Sequence, residues 1–172
     1  MLKHTAILAS LLVTAAVAGC SRGEQPSANV QASAAPARAT APVANGGRKV
    51  EIIANDTMKF SIVEIHAKAG ERLSVTLINQ GATPKFSMGH NWILLTPSAD
   101  VDAFLIAAAE AVTTDYAPSG KRAEILASTK LLGPGEQDTA TFVTLPASGR
   151  YPFLCSYPGH AQVGMRGVLI VE

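Results

Sequence analysis

Within "FLCSYPGHAQVGM", residues 153–165, a cysteine is followed five positions on by a histidine and five positions later by a methionine. Cys155, His160 and Met165 thus bring a thiol, an imidazole and a thioether into one short stretch. The whole chain holds only two cysteines and four histidines. With His4 set aside as part of the N-terminal leader, His66 and His90 are the remaining imidazoles. A mononuclear copper site of the electron-transferring kind needs two imidazoles and a thiolate in a plane, with a long, weak axial thioether. Zinc fits this inventory less well. Structural zinc prefers two or more thiolates, and hydrolytic zinc takes three nitrogen or oxygen ligands plus water. Taken singly, each residue has a plain structural use. Cys155 could be a small buried apolar residue, His160 a loop residue bonded to backbone, His90 a satisfied turn histidine and Met165 a gap filler. Taken together, they point to a metal.

Such a site asks for a particular scaffold. One loop leaving a strand must wrap three donors around an ion, while a fourth arrives from a distant strand. Cys155 ends the apolar run "YPFLC", Pro158-Gly159 turns the chain so that His160 faces back, and "AQVG" leads to Met165 ahead of the last strand.

The strands that would hold this loop are legible as short alternating runs. "RLSVTLIN" (72–79) puts Leu73, Val75 and Leu77 on one face and Arg72, Ser74 and Thr76 on the other. "KVEIIA" (49–54) and "MKFSIV" (58–63) flank the turn-like Asn55-Asp56, and "HNWILL", "DTATFVTL", "RYPFLC" and "GVLIVE" continue the series. The expectation is an all-β fold, a Greek-key antiparallel β-sandwich of two sheets. One stretch differs: "TPSADVDAFLIAAAEAV" spaces Val101, Phe104, Leu105, Ala108 and Val112 as a helix would. Thr96 as N-cap with Pro97 in the first turn predicts about four turns of helix. It is too short for a core of its own and reads as a helical flap on the sandwich flank.

At these residues the sequence resembles a known family. "MGHNW" (88–92), "TKLLGPGEQDTATF" (129–142) and "FLCSYPGHAQVGMRGVLIVE" (153–172) look like the azurin and auracyanin branch of the cupredoxins, the type 1 blue copper proteins. The resemblance covers nearly all of residues 49–172, the flap included. It implies one copper bound by His90, Cys155 and His160, with Met165 as axial ligand. It further implies a weak approach of the Gly89 backbone carbonyl from the opposite side, and an Asn91 that ties the two ligand loops together near the thiolate. Azurins place three residues between the last histidine and the methionine; the four here match auracyanins better. Azurins also carry a disulfide near the N-terminus, and no cysteine lies in the first strands of this chain.

The first residues describe where the domain is kept. Lys3 and His4 precede "AILASLLVTAAVAG", an apolar run too short to span a bilayer once its flanks are trimmed. It ends in "VAGC", which closely resembles the lipobox of bacterial lipoproteins and implies a signal peptide over 1–19 and a lipidated Cys20. An ordinary signal peptide cleaved nearby and an uncleaved anchor are the alternatives. Lipid on Cys20 would leave Cys155 without a partner in an oxidising compartment, whereas a Cys20–Cys155 disulfide would staple a loose tail to the core. Residues 21–48 contain no aromatic residue and are rich in Ala, Pro, Ser and Gly, so 20–48 reads as a lipidated, disordered tether. Such a linker would reach roughly 30 Å as a random coil and about 90 Å as polyproline.

From Lys49 onward ten Lys and Arg face twelve Asp and Glu, leaving the domain near neutral. No basic stripe suggests nucleic acid. There is no second cluster of metal donors, no paired carboxylates near the loop and no nucleophile elbow, which argues against an enzyme and against a small-molecule substrate. The expectation is a copper electron carrier making transient contacts with redox proteins. It would face the periplasm, held by its lipid to a bacterial membrane, the outer one favoured by Ser21 after the cysteine. Electrons would leave through His160, rimmed by Met88, Pro84 and Pro158. A copper-buffering or copper-delivery lipoprotein is the alternative, and a metal-free adhesive sandwich stands further off.

Overall fold

The computed structural model describes residues 47–172. The leader, Cys20 and nearly all of the expected tether lie outside the described residues. In chain order the strands are β1 (Arg48–Ala54), β2 (Glu64–Ala67), β3 (Arg72–Asn79), β4 (Ile93–Leu95), β5 (Ile125–Ser128), β6 (Gln137–Val143), β7 (Gly149–Leu154) and β8 (Arg166–Val171). They form a three-stranded sheet, β1-β3-β6, and a five-stranded sheet, β2-β8-β7-β4-β5.

Alternation explains why the two sheets stack. Register sets Val50 beside Val75 and Ile52 beside Leu77, so β1 and β3 present one apolar stripe, with Ala140 of β6 opposite Val75. Leu94, Tyr151, Phe153, Leu169 and Val171 of the other sheet belong to the same buried cluster. Each such side chain, fully buried, stabilises by about 1.5–3 kcal/mol. On the other face of β3, Ser74 and Thr76 meet the hydroxyls of Thr141 and Thr139. Trp92, at the start of the β4 region, is completely buried between Phe142 and Phe153.

The sandwich is the expected one, but two of its ladders run parallel: β1 with β3, and β2 with β8. The cause is sheet switching. β1 lies in one sheet, the chain crosses to the other for β2, and it returns for β3 beside β1 in the same direction.

"MKFSIV" is not a strand. Met58 takes a left-handed φ of 54° and its N–H closes a turn on the Asn55 carbonyl. The Ser61 hydroxyl then accepts the Ile53 N–H that a continuing ladder would use. Only Phe60 stays in register, in a single bridge to Ala54, and it buries its ring against Phe153. The pairing strand is the next one, "EIHA".

The helical flap is shorter than its pattern. A four-residue helix, α1 (Lys85–Met88), precedes β4, and the flap is α2 (Val101–Ala109). Thr96 is not the cap: its N–H pairs with the Glu124 carbonyl, and the Asp100 carboxylate caps α2 by accepting from Ala103. Phe104, Leu105 and Ala108 pack on Ile93, Leu95, Ile125 and Leu154, the outer face of the five-stranded sheet. Covering that face makes β4 buried on both sides, which suits its unbroken "ILL". Val112 falls beyond the helix and is exposed.

Candidate metal centre

The Cys155 loop is built by its turn chemistry. His160 N–H donates to the Tyr157 carbonyl at 3.1 Å across Pro158-Gly159, and Gly159 sits at φ 86°. This is a type II turn, with proline presetting the first corner and glycine taking the positive φ of the second. The loop is then zipped shut. Met165 N–H donates to the His160 carbonyl at 2.9 Å and Cys155 N–H to the Met165 carbonyl at 3.0 Å. Gly164, at φ 100°, supplies the last bend, and the Lys59 ammonium crosses over to the neighbouring Val163 carbonyl.

His90 arrives from the other side of the sequence. It pairs with Leu132 in a two-way backbone bridge, its N–H donating at 3.1 Å and its carbonyl accepting at 2.8 Å. Gly89 before it has a packing reason to be glycine, since a Cβ would come within 2.7 Å of the Lys85 carbonyl and 2.9 Å of Leu131.

The result is that one nitrogen each of His90 and His160 and the Cys155 sulfur lie within 4.8 Å of one another. All three side chains are buried, and Cys155 Sγ lies 3.5 Å from His160 Nδ1. Met165 is fully buried in the same cluster as Cys155. His66 lies elsewhere, exposed between Glu64 and Glu172.

These donors fit a metal ion. Neither ring nitrogen of buried His90 makes a well-formed hydrogen bond; an unsatisfied buried group costs on the order of 1–3 kcal/mol, and coordination would remove that cost for the nitrogen that ligates. Burial lowers the pKa of His90, with Asp56 and the Asn55 carbonyl opposing weakly, and burial with the nearby His90 takes His160 down to about 4. Both imidazoles are therefore neutral donors. Burial pushes the Cys155 thiol up to about 12, although the backbone amides of Asn91 and Tyr157 pull the other way. The thiolate needs a cation beside it, and a soft thiolate with two imidazoles selects copper.

The copper-binding proteins of the plastocyanin/azurin family match the chain over residues 47–172. The chain belongs to this family. Its domain is 38% identical over 127 residues to azurin of Pseudomonas denitrificans, covering 72% of this chain and 97% of that one. The dithionite-reduced auracyanin of Roseiflexus castenholzii superimposes with a TM-score of 0.60 at 35% identity, over 72% of this chain and 96% of its own. A third relative, outer membrane protein H.8 of Neisseria gonorrhoeae, is 34% identical over 129 residues, covering 74% of this chain and 69% of that protein.

For a plastocyanin/azurin family member the cofactor is copper, and the remaining residues expected near it can be located. Asn91 is buried; it receives the Ser156 N–H at 2.8 Å and donates to the Asp115 carbonyl at 2.9 Å. Pro84 and Pro158 are exposed and Met88 is half-buried. Sequence reasoning missed Phe86, which is 83% exposed, and Tyr157, whose ring lies against His160. An aromatic in the otherwise polar "TPKFS", and the tyrosine two places after the cysteine, were the available signals. Ser156, as the partner of Asn91, was also missed; nothing in its residue type marks it.

Proposed function

We propose that this protein is a membrane-tethered blue copper electron carrier. His90, Cys155 and His160 would hold one copper, with the Met165 thioether and, weakly, the Gly89 carbonyl as further donors. The carrying observation is that these three buried donors gather within 4.8 Å of one another while neither His90 nitrogen makes a well-formed hydrogen bond. When bound, copper supplies a one-electron Cu(I)/Cu(II) couple. The chain's part is to keep the donors fixed and dry, so that little rearranges when charge changes. Zipped backbone bonds on the loop and the Asn91 clamp support that rigidity. Burial of the three donors speaks against copper delivery, which would want ligands open to exchange.

The tether belongs to the same reading. Residues 1–19 act as signal peptide, Cys20 carries lipid, and the segment to residue 48 links it to the copper domain on the periplasmic side. The lipobox-like "VAGC" supports this, as does the likeness to an outer membrane protein of Neisseria gonorrhoeae. Gly47 opens β1 at its far end from Ala54 and Asn55, whose carbonyl lies by His90, so the chain joins the sandwich roughly 20 Å from the donors. The donors thus sit at the end of the sandwich remote from Gly47, in keeping with transient contacts with redox proteins there.

The test is to add Cu(II) to the purified metal-free protein. One copper per chain, an intense blue charge-transfer band and a reversible one-electron wave are expected. A colourless stoichiometric complex, or no binding, overturns the reading.

A further inference from the structure

His160, the expected electron exit, is only 3% exposed. The ring against it belongs to Tyr157, with centroids 4.6 Å apart and planes tilted by 34°. Tyr157 is itself held, its hydroxyl donating to the Phe86 carbonyl at 2.7 Å. Beyond it stands Tyr116, edge-on, with centroids 4.9 Å apart and planes at 63°. Both tyrosines are half-buried. The three rings form a continuous column from the protein surface to a metal donor.

The outer ring is put there at a cost. Asp115 and Tyr116 are consecutive non-glycine residues in the left-handed region, at φ 55° and 61°. Such strain persists only where surroundings enforce it, and it gathers at functional positions. Two bonds enforce it here: Asn91 Nδ2 donates to the Asp115 carbonyl, and Tyr116 N–H donates to the Ala111 carbonyl. Asn91 is the residue that also holds Ser156 on the Cys155 loop. One buried amide therefore fixes the strained turn and the metal loop together. Holding the donors alone would not require the turn, since neither Asp115 nor Tyr116 is among them.

We propose that Tyr157 and Tyr116 are electron-transfer residues, an aromatic path coupling the metal through His160 to a one-electron redox protein docked over Tyr116. This rests on the copper reading above and moves the port away from the His160 edge. One electron passes between the metal and the partner's redox centre. The phenols bridge without being oxidised, and the Tyr157 proton stays on its bond to Phe86.

The experiment uses full-length protein carrying Tyr157→Leu, Tyr157→Phe or Tyr116→Leu. Copper content, the blue band and the potential are measured beside electron self-exchange, read from NMR line broadening of mixed oxidised and reduced protein. Tyr157→Leu and Tyr116→Leu should each slow exchange about three- to tenfold with band and potential kept. Tyr157→Phe should exchange as the parent does. In copper-free protein, Tyr157→Leu should also remove the ring-current shift on the His160 ring protons. Parental exchange rates in a blue Tyr116→Leu variant overturn the proposal, as do equal losses in Tyr157→Phe and Tyr157→Leu. Should Tyr157→Leu fail to fold, Tyr116→Leu decides alone. A parent protein that never turns blue sinks the copper reading instead, and the copper-free shift still reports the stack.

Discussion

Asn91 and Ser156, 65 residues apart, exchange two buried hydrogen bonds: Ser156 N–H donates to Asn91 Oδ1, and Asn91 Nδ2 donates to Ser156 Oγ, each at 2.8 Å. They join the His90 segment to the Cys155 loop, so the two halves of the donor set are located by one amide. Asn91→Ala leaves a buried backbone N–H and the Asp115 carbonyl unpaired. The expected loss is about 1–3 kcal/mol, the cost of one buried group left unsatisfied, in the denaturant midpoint of the copper-free protein. A midpoint equal to that of the parent would mean the clamp is not what holds the loops together.

Cys155→Ala should abolish the blue colour, because the charge-transfer band needs the copper–thiolate bond. Any copper that remains should be weakly held by the imidazoles. A variant keeping the full visible spectrum would remove Cys155 from the ligand set.

Met165→Leu should be milder, since a thioether at a copper site of this kind contributes only a long, weak bond. Copper should stay bound one per chain and stay blue, while the reduction potential shifts. Volume is nearly conserved in this buried site, so stability should fall by less than about 1.5 kcal/mol. Complete loss of copper would show that Met165 does more than cap the site.

The sequence carried the donors and their loop because turn chemistry is local. Pro158-Gly159 specifies a type II turn whatever surrounds it, and the structure has that turn. The alternation of 72–79 likewise became β3 with Leu73, Val75 and Leu77 inward. What stayed hidden depends on distant partners. The strand "ILAS" of β5 is four residues long and exists because β4 offers it an edge. α2 starts after Asp100 rather than Thr96 because the Asp100 carboxylate takes the Ala103 N–H, while Thr96 is held by pairing with Glu124, 28 residues on. The column of Tyr116, Tyr157 and His160 joins three loop positions that no periodicity links.

Acid should loosen the end of the sandwich remote from the metal. Burial tends to raise the Glu71 pKa, but the Arg48 guanidinium, at 2.7 Å, and the Lys68 N–H outweigh it and hold the carboxyl below its ordinary 4.5. A carboxylate lowered in the folded state adds stability that is present above about pH 4.5 and lost as pH falls through the folded value. Glu71→Gln should therefore lower stability at pH 7 and flatten its fall below pH 4.5, as measured by urea unfolding across that range. A Glu71→Gln acid limb as steep as the parent's would assign the loss to other carboxylates.

The proposed anchor can be tested apart from the copper chemistry, because the chain joins the sandwich far from the donors. Gly47, at φ 78°, fixes that junction, since a Cβ there would come within 2.4 Å of the Arg72 carbonyl. Changes upstream of it should leave the metal site alone. Cys20→Ala should release the protein from membranes with its copper spectrum intact. Deleting residues 24–44 while keeping Cys20 should leave it membrane-bound and blue but confine the domain near the lipid surface. A long linker keeps a carrier's local concentration high while letting it reach separate partners, an advantage lost once the linker cannot span them. Electron delivery between membrane-bound donors and acceptors should then slow, while reaction with a small soluble reductant stays at the parent rate. If the shortened protein delivers electrons as fast as the full-length one, the segment serves only to hold the domain, and its length carries no function.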